Sequence, residues 1–108
     1  KKNFLDINDL IKNSQDKGPL AFIFRTKIRA IIVFYIFGSE KITYENLCKN
    51  LDNVASRTTI QSILIDGVNQ NYILKEIDKD DKRKKYYNCI NLKSTLDEWY
   101  KINKSIFN

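Results

Sequence analysis

Two short segments of this sequence carry side chains suited to hydrogen bonding with an anionic polymer. The first is a cluster of hydroxyl, amide and guanidinium groups, namely Ser56, Arg57, Thr58, Thr59, Gln61 and Ser62. The second is a run of cations, namely Lys79, Lys82, Arg83, Lys84 and Lys85. Arginine and glutamine can each pair with a purine edge through two hydrogen bonds, and lysine side chains neutralise phosphates. Both segments therefore indicate contacts with double-stranded DNA.

Catalytic and metal-binding chemistry is poorly supported by the residue types. The sequence contains no histidine, so neither a Ser-His nor a Cys-His nucleophile pair can be assembled. Cys48 and Cys89 stand alone and far apart, which is unlike a zinc site, and no glycine-rich phosphate loop is present. Asp80 and Asp81 fall in a polar loop, where burial cannot tune a pKa. We expect no enzymatic activity, no metal and no cofactor, and the sequence identifies no small-molecule effector.

Length and charge set the class of protein. With 108 residues, 43% of them hydrophobic and 30% charged, the chain is typical of one globular domain over residues 1–108. The formal net charge of +6 favours an anionic partner. Because A/T-rich coding also favours lysine, the scarcer arginines are the more informative cations. Arg57 and Arg83 each fall in one of the two polar segments.

The most apolar stretch, residues 20–37, is predicted to be a buried helix rather than a membrane span. Arg25, Lys27 and Arg29 interrupt it, and the remaining run is far short of the roughly 20 residues that a span requires. These cations are expected on a solvated side of a central helix over residues 26–37. No signal peptide is evident, and lone cysteines in apolar patterns are typical of reduced core residues. We therefore predict a cytoplasmic protein without membrane contact.

Two further helices are predicted from apolar spacing and capping residues. A stripe over residues 4–16 indicates an N-terminal helix that ends near the following glycine-proline pair. The members of this stripe are Phe4, Leu5, Ile7, Leu10 and Ile11. Ile42, Thr43 and Leu47 have the spacing of a hydrophobic staple, which starts a helix over residues 43–51.

A further helix, with one polar face, is predicted over residues 56–70, because Ser56 is a favourable N-cap. The apolar residues that recur at spacings of three and four, and should face the core, are Ile60, Ile63, Leu64 and Val68. The opposite side holds the first polar segment together with Ile65. Asp66 near this side would repel a phosphate, so only the N-terminal half of the helix is expected to enter a DNA groove. Asn71 can take the left-handed conformation that ends the helix.

Beyond this helix the pattern changes to that of a β-hairpin. Strands are predicted over residues 72–77 and 85–91, and they flank the polar tip over residues 78–85. The cations of this tip are suited to the DNA backbone or, through Arg83, to a narrow minor groove.

The C-terminal segment is predicted to form a helix that makes a dimer. Thr95 and Glu98 have the spacing of a capping box, which predicts a helix over residues 94–107. A short terminal helix with much aromatic surface needs a partner to cover it. The residues expected in a homodimer seam are Leu96, Trp99, Tyr100, Ile106 and Phe107.

Residues 43–92 resemble the winged-helix core of MarR-type transcriptional regulators. Ser56-Arg57-Thr58-Thr59-Ile60 is similar to the opening of that family's recognition helix, and Asp81 and Arg83 match the acidic and basic residues of its wing. The terminal segments are shorter than those that family members use for dimerisation and for a ligand cleft. The resemblance implies a mainly α fold with a small β-hairpin, in which a winged helix-turn-helix core over residues 20–92 is flanked by terminal helices.

Two functions follow from these patterns. The first is sequence-specific binding of double-stranded DNA by a homodimeric transcriptional regulator, with helix 56–70 in the major groove and wing 78–85 on the backbone or in the minor groove. The alternative is a winged-helix module that docks another protein and binds no specific DNA. Arg57 and Gln61 favour the first function, whereas Ile65 and the aromatic C-terminal residues leave the second open.

Overall fold

The computed structural model describes residues 18–107, with side chains up to residue 104, and contains α-helices and a small antiparallel sheet. The helices are α1 (Pro19–Ile23), α2 (Lys27–Gly38), α3 (Tyr44–Asn50), α4 (Arg57–Asn69) and α5 (Lys93–Phe107). The strands are β1 (Ile42–Thr43), β2 (Leu74–Ile77) and β3 (Lys85–Asn88). This architecture confirms the predicted mainly α class with a small β element. The predicted helix over residues 4–16 lies outside the described residues.

The glycine-proline pair begins a helix that the sequence does not predict. Gly18 has a φ of 122°, a backbone conformation that favours glycine, and Pro19 occupies the first turn of α1. Proline is well tolerated there because the N–H that it lacks would have no partner within the helix. Phe22 and Ile23 of α1 are buried in the core. The helix has only five residues, too few to produce a recognisable periodic pattern.

α2 matches the predicted range of 26–37 to within a residue at each end. The Thr26 side chain caps it by accepting a hydrogen bond from the backbone N–H of Arg29 (3.0 Å). One side of the helix lies in the core, through Ile32, Val33 and Ile36. Ile28 and Ile31, however, are 38% and 37% exposed. The central helix is therefore buried on one side and partly exposed on the other, and the exposed side includes two isoleucines as well as Lys27.

The next two helices form as the capping residues predict. The Thr43 side chain accepts a hydrogen bond from the Asn46 backbone N–H (3.2 Å) at the start of α3. The Ser56 side chain accepts one from the Thr59 backbone N–H (3.1 Å) at the start of α4. Asn71 has a φ of 66° just beyond α4, which confirms its predicted left-handed conformation. The inward side of α4 contains buried Ile60, Ile63 and Leu64 and half-buried Val68, as predicted.

The sheet has three antiparallel strands in the order β1-β3-β2. The β2–β3 hairpin is predicted from the sequence, but β1, which pairs Ile42 with Tyr87, is not. The second hairpin strand is shorter than the predicted range of 85–91, because it ends at Asn88. The Asn88 side-chain oxygen accepts a hydrogen bond from the Ile90 backbone N–H (3.0 Å), which turns the chain out of the sheet.

α5 begins without the predicted capping box. A 3₁₀ turn over Ile90–Leu92 leads directly into the helix at Lys93. Thr95 therefore lies inside the first turn rather than before it, and its predicted capping pair with Glu98 is wrong. The boundary is set by the 3₁₀ turn, which places Leu92 in the core ahead of the helix.

One cluster of buried side chains forms the core, and all four helices from α1 through α4, the sheet and the start of α5 contribute to it. Cys48 and Cys89 are both buried and unbridged, which confirms their predicted place in the core. Burial raises the pKa of Cys89 to about 12, so that side chain remains a thiol at neutral pH.

Candidate nucleic-acid interface

The polar segment at the start of α4 divides into capping residues and exposed residues. The Ser56 hydroxyl accepts a hydrogen bond from the Thr59 backbone N–H (3.1 Å) and donates one to the Thr59 hydroxyl (3.0 Å). These two hydroxyl groups are therefore engaged in holding the helix terminus. The remaining predicted residues of this segment are exposed and form its accessible surface: Arg57, Thr58, Gln61 and Ser62.

Arg57 is held in place by two residues of α3. Its Nη2 atom lies 2.8 Å from Oε2 of Glu45, and its guanidinium carbon lies 5.2 Å from the centroid of the Tyr44 ring. The Tyr44 hydroxyl also donates a hydrogen bond to the backbone oxygen of Arg57 (3.3 Å). The hydrogen bond to Glu45 raises the pKa of Arg57. The contacts with Glu45 and Tyr44 orient the Arg57 side chain. Because this side chain is still 58% exposed, its other N–H donors remain accessible to a ligand.

A shallow depression of about 250 Å³ lies on the outer face of α4. It is lined by Thr58, Gln61, Ser62 and Ile65. Ile65 is 54% exposed, which confirms its predicted place on the outer face. This face therefore combines hydrogen-bonding side chains with an accessible apolar one.

The hairpin tip is shaped by aspartates that bond to their own loop. Oδ1 of Asp78 accepts a hydrogen bond from the Asp80 backbone N–H (3.3 Å), and Oδ1 of Asp81 accepts one from the Arg83 backbone N–H (3.0 Å). Nε of Arg83 lies 3.3 Å from the same Asp81 oxygen, yet the arginine side chain is 93% exposed. Within residues 18–104, no ion pair involves the lysines of the tip, which are Lys79, Lys82, Lys84 and Lys85. With five cations against three aspartates over residues 78–85, the tip presents a net positive charge.

A groove of about 590 Å³ lies between α4 and the hairpin. It brings Gln61 of α4 onto one surface with three cations of the hairpin, Arg83, Lys84 and Lys85. Lys75 of β2 adds a fourth cation, whereas Glu45 is the single carboxylate in the lining. Lys79 and Lys82 are exposed at the tip but are not part of the groove. The structure thus joins Gln61 of the first predicted segment and three cations of the second into one positively charged surface.

The residues of this surface that are not predicted from the sequence include Tyr44, Glu45 and Lys75. Glu45 precedes Arg57 by 12 residues, and only the packing of α3 beside α4 brings the two side chains together. No local sequence signal marks this pair. Lys75 pairs with Tyr87 across the hairpin and both line the groove, so strand alternation is the signal that could have identified Lys75.

A second groove, of about 550 Å³, lies on the other face of the sheet. Its lining includes two acids and two bases, which are Glu40, Glu76, Lys41 and Lys93. The Glu76 carboxylate accepts a hydrogen bond from the Asn88 side-chain amide, and Lys41 lies 4.6 Å from the Tyr86 ring centroid. Because its charges balance, this groove is less suited to an anionic ligand than the groove beside α4.

Asp66 is paired with Arg29 of α2. Nη1 of Arg29 lies 2.7 Å from Oδ2 of Asp66, and the Gln70 amide donates a hydrogen bond to Oδ1 of Asp66 (2.8 Å). The Arg29 guanidinium also lies 4.8 Å from the Phe22 ring centroid, and the arginine side chain is only 13% exposed. The expectation of a solvated Arg29 is therefore wrong, whereas the side chain of Asp66 is still 40% exposed. Arg25 and Lys27 are exposed, as predicted.

The pKa of Asp66 reflects this pairing. Burial would raise the pKa, but the hydrogen bonds from Arg29 and Gln70 outweigh burial and hold the pKa of Asp66 below its usual value. The carboxylate is therefore stabilised in its ionised form by the contact between α2 and α4.

The predicted dimer residues of α5 differ widely in exposure. Leu96 is 3% exposed and belongs to this chain's own core, so it offers no surface to a second copy. Trp99 packs against Phe24 and Phe34, with ring centroids 5.4 and 5.9 Å apart. Tyr100, in contrast, is 52% exposed. The side chains outside the described set are Ile106 and Phe107.

In the part of the chain that the structure describes, no three side chains of the metal-ligating types come together. None of the helices in this part is both long enough and apolar enough to cross a membrane.

Comparison with other proteins adds no family assignment, because no protein-family model matches the chain and no curated protein or solved structure is significantly similar to it. The function is therefore inferred from the charge, shape and side chains of the surface between α4 and the hairpin.

Proposed function

We propose that the chain binds double-stranded DNA in a sequence-specific manner, as a homodimeric transcriptional regulator of the winged helix-turn-helix type. α4 enters the major groove, and the hairpin tip contacts the backbone or the neighbouring minor groove. The proposal requires no cofactor and no catalytic step.

The order of elements supports this proposal. α3, a short turn, α4 and the β2–β3 hairpin follow one another along the chain, and β1 pairs with β3 beside them. In helix-turn-helix proteins the second helix enters the major groove with its N-terminal residues toward the bases. Four exposed polar side chains lie in the first two turns of α4, which is the part of the helix that this geometry requires: Arg57, Thr58, Gln61 and Ser62.

The groove between α4 and the hairpin is the observation that carries the proposal. It places the Gln61 amide beside the cations Arg83, Lys84 and Lys85. A B-DNA major groove is about 12 Å wide and admits an α-helix, while the flanking phosphates demand cations on either side. The arrangement therefore supplies a base-contacting side chain and backbone-contacting side chains from neighbouring elements.

The exposed polar side chains at the start of α4 have distinct roles in this geometry. Gln61 can pair with N6 and N7 of adenine, and Arg57 with guanine or a phosphate. Thr58 and Ser62 are short, so they let the helix backbone approach the bases. The N-terminal N–H groups and the positive dipole end of α4 favour a phosphate beside Ser56.

The proposed dimer places two α4 helices about one DNA turn apart on an inverted repeat. In the described part of α5, Tyr100 is the predicted seam residue that is exposed enough to contact a second copy. The buried, unbridged thiols of Cys48 and Cys89 agree with a reducing compartment, and we propose the cytoplasm.

Duplex binding measured against salt concentration tests the proposed backbone contacts. The logarithm of the wild-type affinity should fall linearly with the logarithm of salt concentration. Lys84→Gln combined with Lys85→Gln should reduce the slope by about 1.8 and weaken binding roughly tenfold or more at low salt, because two phosphate contacts are lost. Lys101→Gln combined with Lys104→Gln, on exposed positions of α5, is the matched control and should leave the slope unchanged.

Selection from random duplex DNA tests the proposed sequence specificity. The wild-type chain should enrich a defined sequence, and Arg57→Ala combined with Gln61→Ala should abolish that preference while leaving weak, salt-dependent binding. If the wild-type chain enriches no sequence, or if the double substitution leaves the preference intact, the assignment of α4 to the bases is wrong.

The alternative is a module that docks another protein. It is favoured by Tyr100 and Ile102 of α5, which are 52% and 65% exposed. Complete absence of duplex binding at low salt would favour this alternative over the DNA-binding proposal.

A further inference from the structure

The surface proposed to contact DNA contains an apolar side chain that hydrogen bonding to bases does not explain. Ile65 is 54% exposed, one helical turn after Gln61. It lines both the depression on the outer face of α4 and the groove toward the hairpin. Contact between this exposed isoleucine and water is unfavourable, and it is removed when a ligand covers the side chain.

We infer that Ile65 recognises the 5-methyl group of a thymine adjacent to the adenine that Gln61 contacts, so that the bound DNA carries neighbouring A·T pairs at this position. The inference rests on the proposed function and names the class of sequence that the same site takes. It makes Ile65 a specificity-determining residue.

The spacing of the two side chains supports this assignment. Residues four apart on a helix lie about 5 to 6 Å apart and project from the same face. Gln61 and Ile65 can therefore contact neighbouring base pairs when α4 lies in the major groove. Thymine is the base that places a methyl group there, and apolar side chains are its usual contacts.

The charges around Ile65 favour DNA over a protein partner. The same groove contains Lys75, Arg83, Lys84 and Lys85, against the single carboxylate of Glu45. An apolar protein surface would leave these cations without partners, at a cost in desolvation. A DNA strand supplies phosphates for the cations and a thymine methyl group for the isoleucine in the same complex.

Uracil substitution tests the inference at the level of a single methyl group. A duplex selected by the wild-type chain is prepared in a series in which each thymine in turn is replaced by deoxyuridine, which lacks only the 5-methyl group. Replacement of one particular thymine should weaken wild-type binding about fourfold, as expected for loss of one buried methyl group. Ile65→Ala should bind the thymine and uracil duplexes equally, at about the weaker of the two wild-type affinities.

Ile77→Ala is the matched control, because Ile77 is an isoleucine of β2 that is 60% exposed and does not line the groove. This variant should retain the full difference between thymine and uracil. The inference is overturned if no uracil substitution weakens wild-type binding, or if Ile65→Ala retains the difference in affinity between the thymine and uracil duplexes. In both cases the selection of a defined duplex by the wild-type chain would still support the proposed function. If no duplex is selected at all, the proposed function fails and the inference fails with it.

Discussion

α4 and the hairpin tip, the two regions proposed to contact DNA, are held in very different ways. α4 buries its inner side in the core, is tied to α2 through Arg29 and Asp66, and is tied to α3 through Arg57 and Glu45. The hairpin tip is held by hydrogen bonds within its own loop, which nearby backbone N–H groups donate to the carboxylates of Asp78 and Asp81. α4 is therefore held by contacts with the core, α2 and α3, whereas the hairpin tip is held by hydrogen bonds within its own loop.

This difference separates two kinds of contact. Recognition of a base edge needs a side chain whose position is set before binding, because a bidentate hydrogen bond tolerates little displacement. Neutralising a phosphate needs charge near the backbone and little geometric precision. α4 is therefore suited to discriminate between sequences, and the hairpin tip is suited to strengthen binding to every duplex. The following substitutions test this division, beginning with the largest expected effect.

Arg29→Met should destabilise the fold by about 1 kcal/mol, because it removes the cationic partner of a carboxylate that is 40% exposed and therefore partly screened by water. Lys27→Met is the control, since Lys27 is an exposed cation in the first turn of the same helix, and it should change stability by less than about 0.5 kcal/mol. Urea unfolding of both variants measures the difference. Equal stabilities would show that the contact between Arg29 and Asp66 does not anchor α4.

The pH dependence of the same contact has a defined sign. The pKa of Asp66 is lowered in the fold, so its ionised form stabilises the protein above the unfolded-state pKa of about 4. This contribution is lost as the pH falls through the lower pKa of the folded state. The difference in unfolding free energy between wild type and Arg29→Met should therefore narrow as the pH falls below about 4. A difference that stays constant over this range would contradict the role given to the Asp66 carboxylate.

The elements of the fold that have local signals are predictable from the sequence. Ser56 and Thr43 are good N-caps followed by apolar residues at helical spacing, and the structure has helices at both places. β1 has two residues and α1 has five, so neither is long enough to give a periodic signal. The predicted capping box at the start of α5 is wrong. Thr95 and Glu98 have the spacing of a capping box, but the 3₁₀ turn before them leads into a helix that begins at Lys93.

Contacts between distant residues could not be predicted in the same way. Asp66 has the helical position of an exposed residue, and no local signal indicates its pairing with Arg29, 37 residues earlier. Glu45 similarly acquires its role from the packing of α3 beside α4. The types of side chain at the candidate site are visible in the sequence, whereas their partners depend on tertiary structure.

Glu45→Gln tests whether Arg57 contributes to recognition through its fixed orientation. The substitution removes the carboxylate that holds the guanidinium, so preference for the selected duplex over unrelated duplexes should fall by up to about fivefold. Binding to unrelated duplexes should rise by about twofold, because Arg57 then meets phosphates without a competing carboxylate. Glu98→Gln, at an exposed position of α5, is the matched control and should change neither quantity. A rise in affinity that is equal for all duplexes would mean that Glu45 acts only through its charge.

Asp81→Asn is the corresponding substitution at the hairpin tip and has the smallest expected effect. Asparagine retains the side-chain oxygen that accepts a hydrogen bond from the Arg83 backbone N–H, so the loop should keep its shape while it loses one negative charge. Affinity should rise by about twofold for the selected duplex and for unrelated duplexes alike, which leaves the preference unchanged. Competition binding with both duplexes measures the two affinities together. If Asp81→Asn reduces the preference as Glu45→Gln is expected to do, the hairpin tip also discriminates between sequences, and the division of roles between α4 and the tip is wrong.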